Sequence, residues 1–369
     1  MNRILVRAPN WIGDQLLAYP FYYFLRRQYP VAHIAVSCAP WVESIQFHRL
    51  INEVVPLAKP LGTSFVGRFQ ALGESARRLR ERGPWDLGIS LPNSLSAAWL
   101  LYRAGAERRR GFGADARSPL LTEALDWKAA ESLHRSDAYL KLLEPEGVRA
   151  SGHDFWGVPP VDEDDPADLG RPGVLARFDA AAEWPDAVAV EPPDEPYWVL
   201  APGSTAESRR WPLERARALA EMIHARTGLR GLVVGGPSET VAATQLSDER
   251  EAGLSNWTAR GNVAANWKLL ARARFVVSND SGLAHMASLC GTPVFIAWGA
   301  GNPRHTEPVG PGRARLSFNP VECWPCEKNV CFQPAGRRLQ CLNGIQPDTL
   351  WSNIQKELAR DAQAAQRTP

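Results

Sequence analysis

Along this chain the apolar residues gather in short unbroken runs instead of alternating with polar ones. "RILVRA" (3–8), "HIAVSCA" (33–39), "DLGISL" (86–91), "YWVLAP" (197–202), "GLVVGG" (231–236), "RFVVSND" (274–280) and "PVFIAWG" (293–299) are the clearest. A strand that is apolar on both faces must be covered on both, which is the condition inside a parallel sheet. Segments of helical length, among them 15–28, 213–227 and 282–289, separate most of these runs. Strand and helix in alternation predict an α/β protein whose parallel sheets carry helices on each face.

The alternation occurs twice. Between the two stretches, "SGHDFWGVPPVDEDDPADLGRPG" and the sequence as far as "VEPPDEP" are rich in Pro and Asp and have no period. The expected division is a first domain over 1–155, a linker over 156–195, a second domain over 196–345 and a closing helix over 346–369. That helix opens at "PDTLW", with Asp348 as its expected N-cap.

Length and charge sharpen this picture. At 369 residues and 45% apolar content, each domain can bury a core. The formal net charge of +2 hides +6 over 1–150, −10 over 151–196 and +6 over 197–369. Two mildly basic domains suit an anionic small molecule or lipid headgroup, and they lack the dense basic stripe of a nucleic-acid binder. Most basic residues of the first domain are Arg, which favours forked phosphate contacts. The opening "MNRILVRAPN" reads as a strand broken at Pro9 rather than a signal peptide, and the longest stretch free of Lys, Arg, Asp and Glu (281–303) is cut by Gly and Pro. The expectation is a cytoplasmic protein, peripheral to a membrane at most.

The chemistry concentrates where strands give way to helices. In "VVSNDSGLAHMASLCGTP" (276–293), Asp280, Ser281 and Gly282 lead straight into a helix whose N–H groups face the sheet's carboxyl edge, a setting that favours phosphate. Either Asp280 or Ser281 serves equally well as a plain N-cap, and His285 one turn on is as readily a packed histidine as a ligand. "APGSTAESRRWP" (201–212) sets Thr205, Arg209 and Arg210 before a helix with Pro212 at its expected first position, and "VVGGPSET" (233–240) adds a third glycine turn. In "APNWIGDQLLAYP" (8–20), Asp14 follows a glycine turn, either as a helix cap or as a proton acceptor.

These segments in this order, with "LPNSLSAAWLLYRAGAERRRGFG" (91–113), "ARSPLLTEA" (116–124), "HRSDAYLKLL" (134–143) and "SNDSGLAHMASLCGTPVFIAWGAGNPRHTEP" (278–308), resemble glycosyltransferase family 9, the bacterial heptosyltransferases. The resemblance covers roughly 1–155 and 195–365. It implies a GT-B fold: two Rossmann-like doubly wound domains facing a central cleft, the first taking the acceptor and the second the nucleotide sugar. It implies transfer of a heptose or related sugar with inversion, from an ADP-type donor to a lipid-linked saccharide in lipopolysaccharide core assembly, without a catalytic metal. On this chain the general base is then Asp14. The donor diphosphate falls to Thr205, Arg209, Asp280, Ser281 and Gly282 with His285 in support, and acceptor phosphates fall to Arg110 and Arg117.

Two departures stand out. Arg209 occupies a position that is commonly Lys in the family, and "ARGNVAANWKLLARA" (259–273) is atypical. The acidic run "DEDD" (162–165) mimics a metal-holding triplet but sits in the linker, where it reads as a solvated charge run. Cys323, Cys326, Cys331 and Cys341, spaced C-x2-C-x4-C-x9-C, are either reduced thiols or ligands of a structural zinc. Two other functions fit the same fold: a nucleotide-sugar epimerase, and a non-catalytic nucleotide-sugar-binding protein.

Overall fold

The computed structural model describes residues 1–60, 62, 64–114, 116–157, 178–185, 187, 190–247 and 251–367, so the acidic run at 162–165 lies outside the described residues. The chain forms two compact units, one of Met1–Phe155 with Asp179–Asp186 and one of Trp156–Phe178 with Ala187–Pro369.

In the first unit, β1 (Arg3–Arg7), β2 (His33–Cys38), β3 (Glu53–Pro56), β4 (Trp85–Ser90), β5 (Ala106–Gly113) and β6 (Glu123–Asp126) pair in parallel in the order β3-β2-β1-β4-β5-β6. In the second, β7 (Tyr197–Ala201), β8 (Arg230–Val233), β9 (Leu254–Asn256), β10 (Val276–Asn279), β11 (Val294–Ala297) and β12 (Ala314–Ser317) pair in parallel in the order β12-β11-β10-β7-β8-β9. All seven apolar runs became strands. In each sheet the strand order reverses beside the first strand, between β1 and β4 and between β7 and β10. Ligands of doubly wound sheets bind at the carboxyl ends of strands at such a switch point.

Eight helices matter here: α1 (Ile12–Leu17), α2 (Tyr19–Gln28), α3 (Phe65–Glu81), α4 (Leu95–Arg103), α5 (Arg135–Lys141), α6 (Leu213–Thr227), α7 (Gly282–Leu289) and α8 (Pro347–Arg367). The helix expected over 15–28 is broken at Ala18, and Pro20 sits in the first turn of α2, where its missing N–H costs nothing. Pro212 is the N-cap of α6 rather than its first helical residue. Asp348 does not cap α8. The helix already begins at Pro347, which leaves Asp348 in the first turn, where a carboxylate favours the helix dipole.

Each unit has its own core. Ala76 and Leu79 of α3 and Leu100 and Leu101 of α4 pack against Leu5, Ala35 and Trp85. In the second unit Leu219 and Ile223 of α6 meet Trp198, Phe275 and Phe295, and Leu350, Trp351 and Ile354 of α8 close the same cluster. One piece of the segment read as linker is ordered against the first unit. A short helix, Ala180–Glu183, is capped by Asp179, and its buried Glu183 accepts from the Tyr19 hydroxyl (3.3 Å) and the Arg49 amide (3.1 Å).

Candidate active site

The loop leading into the helix of Asp14 is anchored by a residue the sequence did not single out. Arg7, the last residue of β1, is buried and donates to the carbonyl of Ala8 and to Asn10 Oδ1, while Trp41 Nε1 donates to the Asn10 carbonyl (2.6 Å). Burial lowers the Arg7 pKa to about 10, which leaves it charged at neutral pH. Trp11 is the N-cap of α1, and Asp14 lies inside the first turn. Asp14 is therefore not the helix cap. Its Oδ1 faces Arg135 Nε of α5 at 3.5 Å. One turn further on, Tyr139 is buried, and burial first and the Asp14 charge second keep its phenol protonated. The carboxylate thus sits at the sheet's switch point between a cation and a neutral phenol, a setting able to accept a proton from a hydroxyl.

His134 caps α5 by accepting the Ser136 amide, and Asp137 accepts the Gly152 amide at 2.5 Å. With His153 they form the one group of three His, Cys, Asp or Glu side chains among the described residues whose ligand atoms all lie within 4.8 Å of one another. Its capping bonds are already spent on holding α5 and residue 152 together.

The two acceptor-side arginines differ. Arg110 is fully buried inside β5, donating to Glu123 Oε2 (2.7 Å), Glu146 Oε1 (2.6 Å) and the Leu142 carbonyl (3.0 Å). A guanidinium with no exposed surface and two carboxylates cannot also meet a phosphate, so Arg110 is structural, contrary to the expectation from sequence. Arg117 is also buried and gives Nε to the Phe112 carbonyl (2.6 Å), but it stands beyond the carboxyl end of β5.

In the second unit the donor candidates converge at the β7/β10 switch point. Asn279, ending β10, donates to the Pro202 carbonyl (2.5 Å) and accepts from the Trp211 amide (3.0 Å), tying both ends of the 202–211 loop to the neighbouring strand. Arg210 Nε donates to the Ser204 carbonyl (2.6 Å) and its Nη2 to the Thr205 carbonyl (3.3 Å), which fixes the turn at Thr205. Arg209 lies 3.3 Å from Asp280 Oδ2. Ser281 is the N-cap of α7 and Gly282 its first residue, with no side-chain bond spent on the cap. His285 is buried beside them, and burial with the neighbouring Arg209 charge lowers its pKa to about 3, so the ring is neutral. Arg209 Nε and His285 Nδ1 are buried without a hydrogen-bond partner among the described residues. A Cβ at Gly301 would collide with Asp280 Oδ2, and one at Gly299 with the Ser208 carbonyl, so both glycines are needed for the loops to meet.

The cysteine-rich segment packs directly behind this loop. The Ser208 amide donates to the Asn329 carbonyl (3.2 Å), the Glu327 amide to the Ala300 carbonyl (2.8 Å), Trp324 Nε1 to the Gly299 carbonyl (2.8 Å) and Arg338 Nη2 to Glu207 Oε1 (2.5 Å). All four thiols are free. Burial, then the charges of Cys326, Cys331 and Cys323, push the Cys341 thiol up. No three of these sulfurs lie within 4.8 Å of one another.

Two doubly wound units, one with a carboxylate at its switch point and the other with helix-terminal amides and an arginine at its own, have the architecture of the GT-B fold. The chain belongs to glycosyltransferase family 9 (heptosyltransferase), whose family model matches residues 73–335. It is 25% identical over 321 residues to lipopolysaccharide heptosyltransferase 2 of Escherichia coli K12, covering 83% of this chain and 85% of that one. Among solved structures, E. coli ADP-heptose lps heptosyltransferase II superposes with a TM-score of 0.72 at 22% identity, covering 98% of this chain and all of that one. E. coli heptosyltransferase WaaC with ADP gives a TM-score of 0.67 at 18% identity over 96% of this chain and 99% of that one.

Proposed function

We propose that this glycosyltransferase moves a heptose, with inversion, from an ADP-type donor to a lipid-linked saccharide in lipopolysaccharide core assembly, and does so without a catalytic metal. The acceptor hydroxyl oxygen attacks the anomeric carbon, the bond from that carbon to the diphosphate breaks, and Asp14 receives the hydroxyl proton. Arg209, the Thr205 turn and the amides at Ser281 and Gly282 hold the departing diphosphate, with neutral His285 as a donor beside it. The observation that carries this reading is the Arg209–Asp280 pair at the start of α7: it sets a fixed cation beside unspent amides, which is the electrostatic work a divalent ion would otherwise do. Arg117 is the arginine kept for acceptor phosphate.

Cys323, Cys326, Cys331 and Cys341 would hold a structural zinc. Four thiols are the donor set of a closed tetrahedral site, which the four sulfurs would complete by drawing together around the ion. Work on a lipid-linked acceptor implies a cytoplasmic protein in peripheral contact with a membrane.

The test is incubation with a panel of nucleotide sugars, with and without a lipid-linked core acceptor, and NMR of the product linkage. Transfer from an ADP-sugar with inverted anomeric configuration supports the reading. Turnover of the nucleotide sugar without acceptor would make the protein an epimerase, and binding without consumption would make it a non-catalytic binder.

A further inference from the structure

The apolar stripe of α3 is longer than the core it serves. Phe65, Phe69, Leu72, Ala76 and Leu79 follow one another at helical spacing along one face. Its C-terminal end is core, with Ala76 and Leu79 buried. Its N-terminal end is not: Phe65 is 82% exposed, Val66 63% and Phe69 56%. The same face continues onto α4, where Trp99 meets the Phe69 ring at 5.8 Å between centroids and Leu95 and Tyr102 are exposed. Ser64 accepts the Gly67 amide and fixes the helix start, so these aromatics stand on an ordered element. Aromatic side chains this exposed on a rigid helix mark a surface that something covers.

The charge around the patch selects what covers it. Residues 59–103 carry seven Lys and Arg against three acidic residues. Arg77 and Arg78 are paired with Glu74 and Glu81, and Arg82 with Glu53. Among the described residues no carboxylate pairs with the exposed Lys59, Arg68, Arg80 or Arg103. Arg68 sits between Phe65 and Phe69, and Arg103 lies over the Trp99 ring at 5.7 Å. Exposed aromatics ringed by unpaired cations match an anionic lipid surface, whose headgroups take the charges while the rings enter the acyl boundary.

We infer that the exposed N-terminal face of α3, with the adjoining edge of α4, is the surface by which this protein docks on an anionic phospholipid bilayer. This rests on the reading of a membrane-peripheral enzyme and gives that contact a place. The test reads binding and not transfer, so a failure of the transfer reading leaves its result standing.

The full chain is sedimented with vesicles of phosphatidylcholine alone and with vesicles in which phosphatidylglycerol makes up one third of the lipid. The expected result is strong co-sedimentation with the anionic vesicles only. The double variant Phe65→Ser with Phe69→Ser should lower partitioning at least about tenfold, since both rings lose their burial in the acyl boundary. Arg68→Glu with Arg103→Glu should weaken binding to the anionic vesicles and flatten its salt dependence. Val241→Ser, which removes a side chain 72% exposed on the other unit, should change nothing and controls for loss of surface apolarity in general. Circular dichroism confirms that each variant is folded. Equal sedimentation of the Phe double variant and the parent overturns the proposal, as does failure of the parent to bind anionic vesicles. If the double variant instead turns a dimer into a monomer with vesicle binding unchanged, the face joins two copies of the chain and the bilayer assignment falls.

Discussion

Arg209 Nη1 lies 3.3 Å from Oδ2 of Asp280, whose side chain is only 2% exposed. The two come from different strand ends, and Gly301 approaches the same oxygen so closely that a Cβ there would collide with it. A carboxylate buried to this degree depends on its partner cation, and Asp280 holds that cation one residue before the N-cap of α7. Arg209→Ala therefore removes two things at once. Affinity for ADP should fall by about 10- to 150-fold, the loss of a charge-assisted contact worth about 1.5–3 kcal/mol. The melting temperature should fall as well. Arg209→Lys keeps the charge without the fork and should fall between the two. Calorimetry with ADP and thermal unfolding measure both effects. A variant that loses stability but binds ADP as the parent does would restrict Arg209 to a structural role.

Asp14 allows a cleaner separation. Because Trp11 and not Asp14 caps α1, Asp14→Asn removes basicity without uncapping a helix. Turnover should drop by roughly 10²–10⁴ with ADP affinity unchanged. Arg135→Gln should act in the same direction but less strongly, since it loosens the carboxylate that it faces at 3.5 Å. Near-normal turnover in Asp14→Asn would send the search for the base to another carboxylate.

The sequence announced the middle of each sheet and not its margins. The strands that went unread include β3, β6, β9 and β12, the four sheet edges, together with β5 beside an edge. An edge strand is covered less and need not be uniformly apolar: β6 alternates half-buried and exposed positions, and β5 contains three consecutive arginines that pair with neighbouring carboxylates and carbonyls. The donor loops were legible because strand end, small residues and helix start are contiguous in sequence. Arg7, Arg135 and Asn279 were not, because their importance lies in partners on other elements: the 8–10 loop, α1 and the 202–211 loop. Arg110 misled for the same reason, since nothing local reveals that Glu123 and Glu146 take its charge.

That correction can be measured. Arg110→Ala leaves Glu123 and Glu146 without their buried partner, and removing one member of such a group typically costs about 3–5 kcal/mol. Part of that cost is relieved here, because both carboxylates retain some exposure and Arg108 lies near them. Denaturant unfolding should therefore show a loss at the lower end of that range. The KM for acceptor, measured on the folded fraction, should stay unchanged. A raised acceptor KM at unchanged stability would return Arg110 to the acceptor site.

His285 predicts a pH dependence of stability. Its folded-state pKa, about 3, lies below the ordinary histidine value of 6.5, because burial and then Arg209 oppose the charge. Between those two values the unfolded chain binds a proton that the native protein does not, so stability is full above the upper value and falls as the pH drops toward the lower. His285→Gln removes the proton and should flatten this acid limb, with the largest difference from the parent near the bottom of the window. Denaturant midpoints from neutral pH down to about 4 measure it, and parallel curves for parent and variant would rule out His285 as the source.

The cysteine-rich segment is bonded to the donor loop at Ser208 and Glu207 and to the 299–300 strand end, so anything that orders the four thiols also orders the loop presenting Arg209. Purified protein should carry about one zinc per chain. Cys326→Ser with Cys331→Ser should abolish that zinc and weaken ADP binding without touching a residue that meets the donor. Turnover should nevertheless survive EDTA at concentrations that do not extract the structural zinc, because in the proposed mechanism Arg209 and backbone amides hold the diphosphate. Elemental analysis, calorimetry and turnover are read on the same samples. Zinc-free protein with parental ADP affinity would leave four reduced thiols and no metal, whereas loss of turnover in EDTA with zinc still bound, reversed by magnesium or manganese, would mean that a second and catalytic ion takes part in transfer.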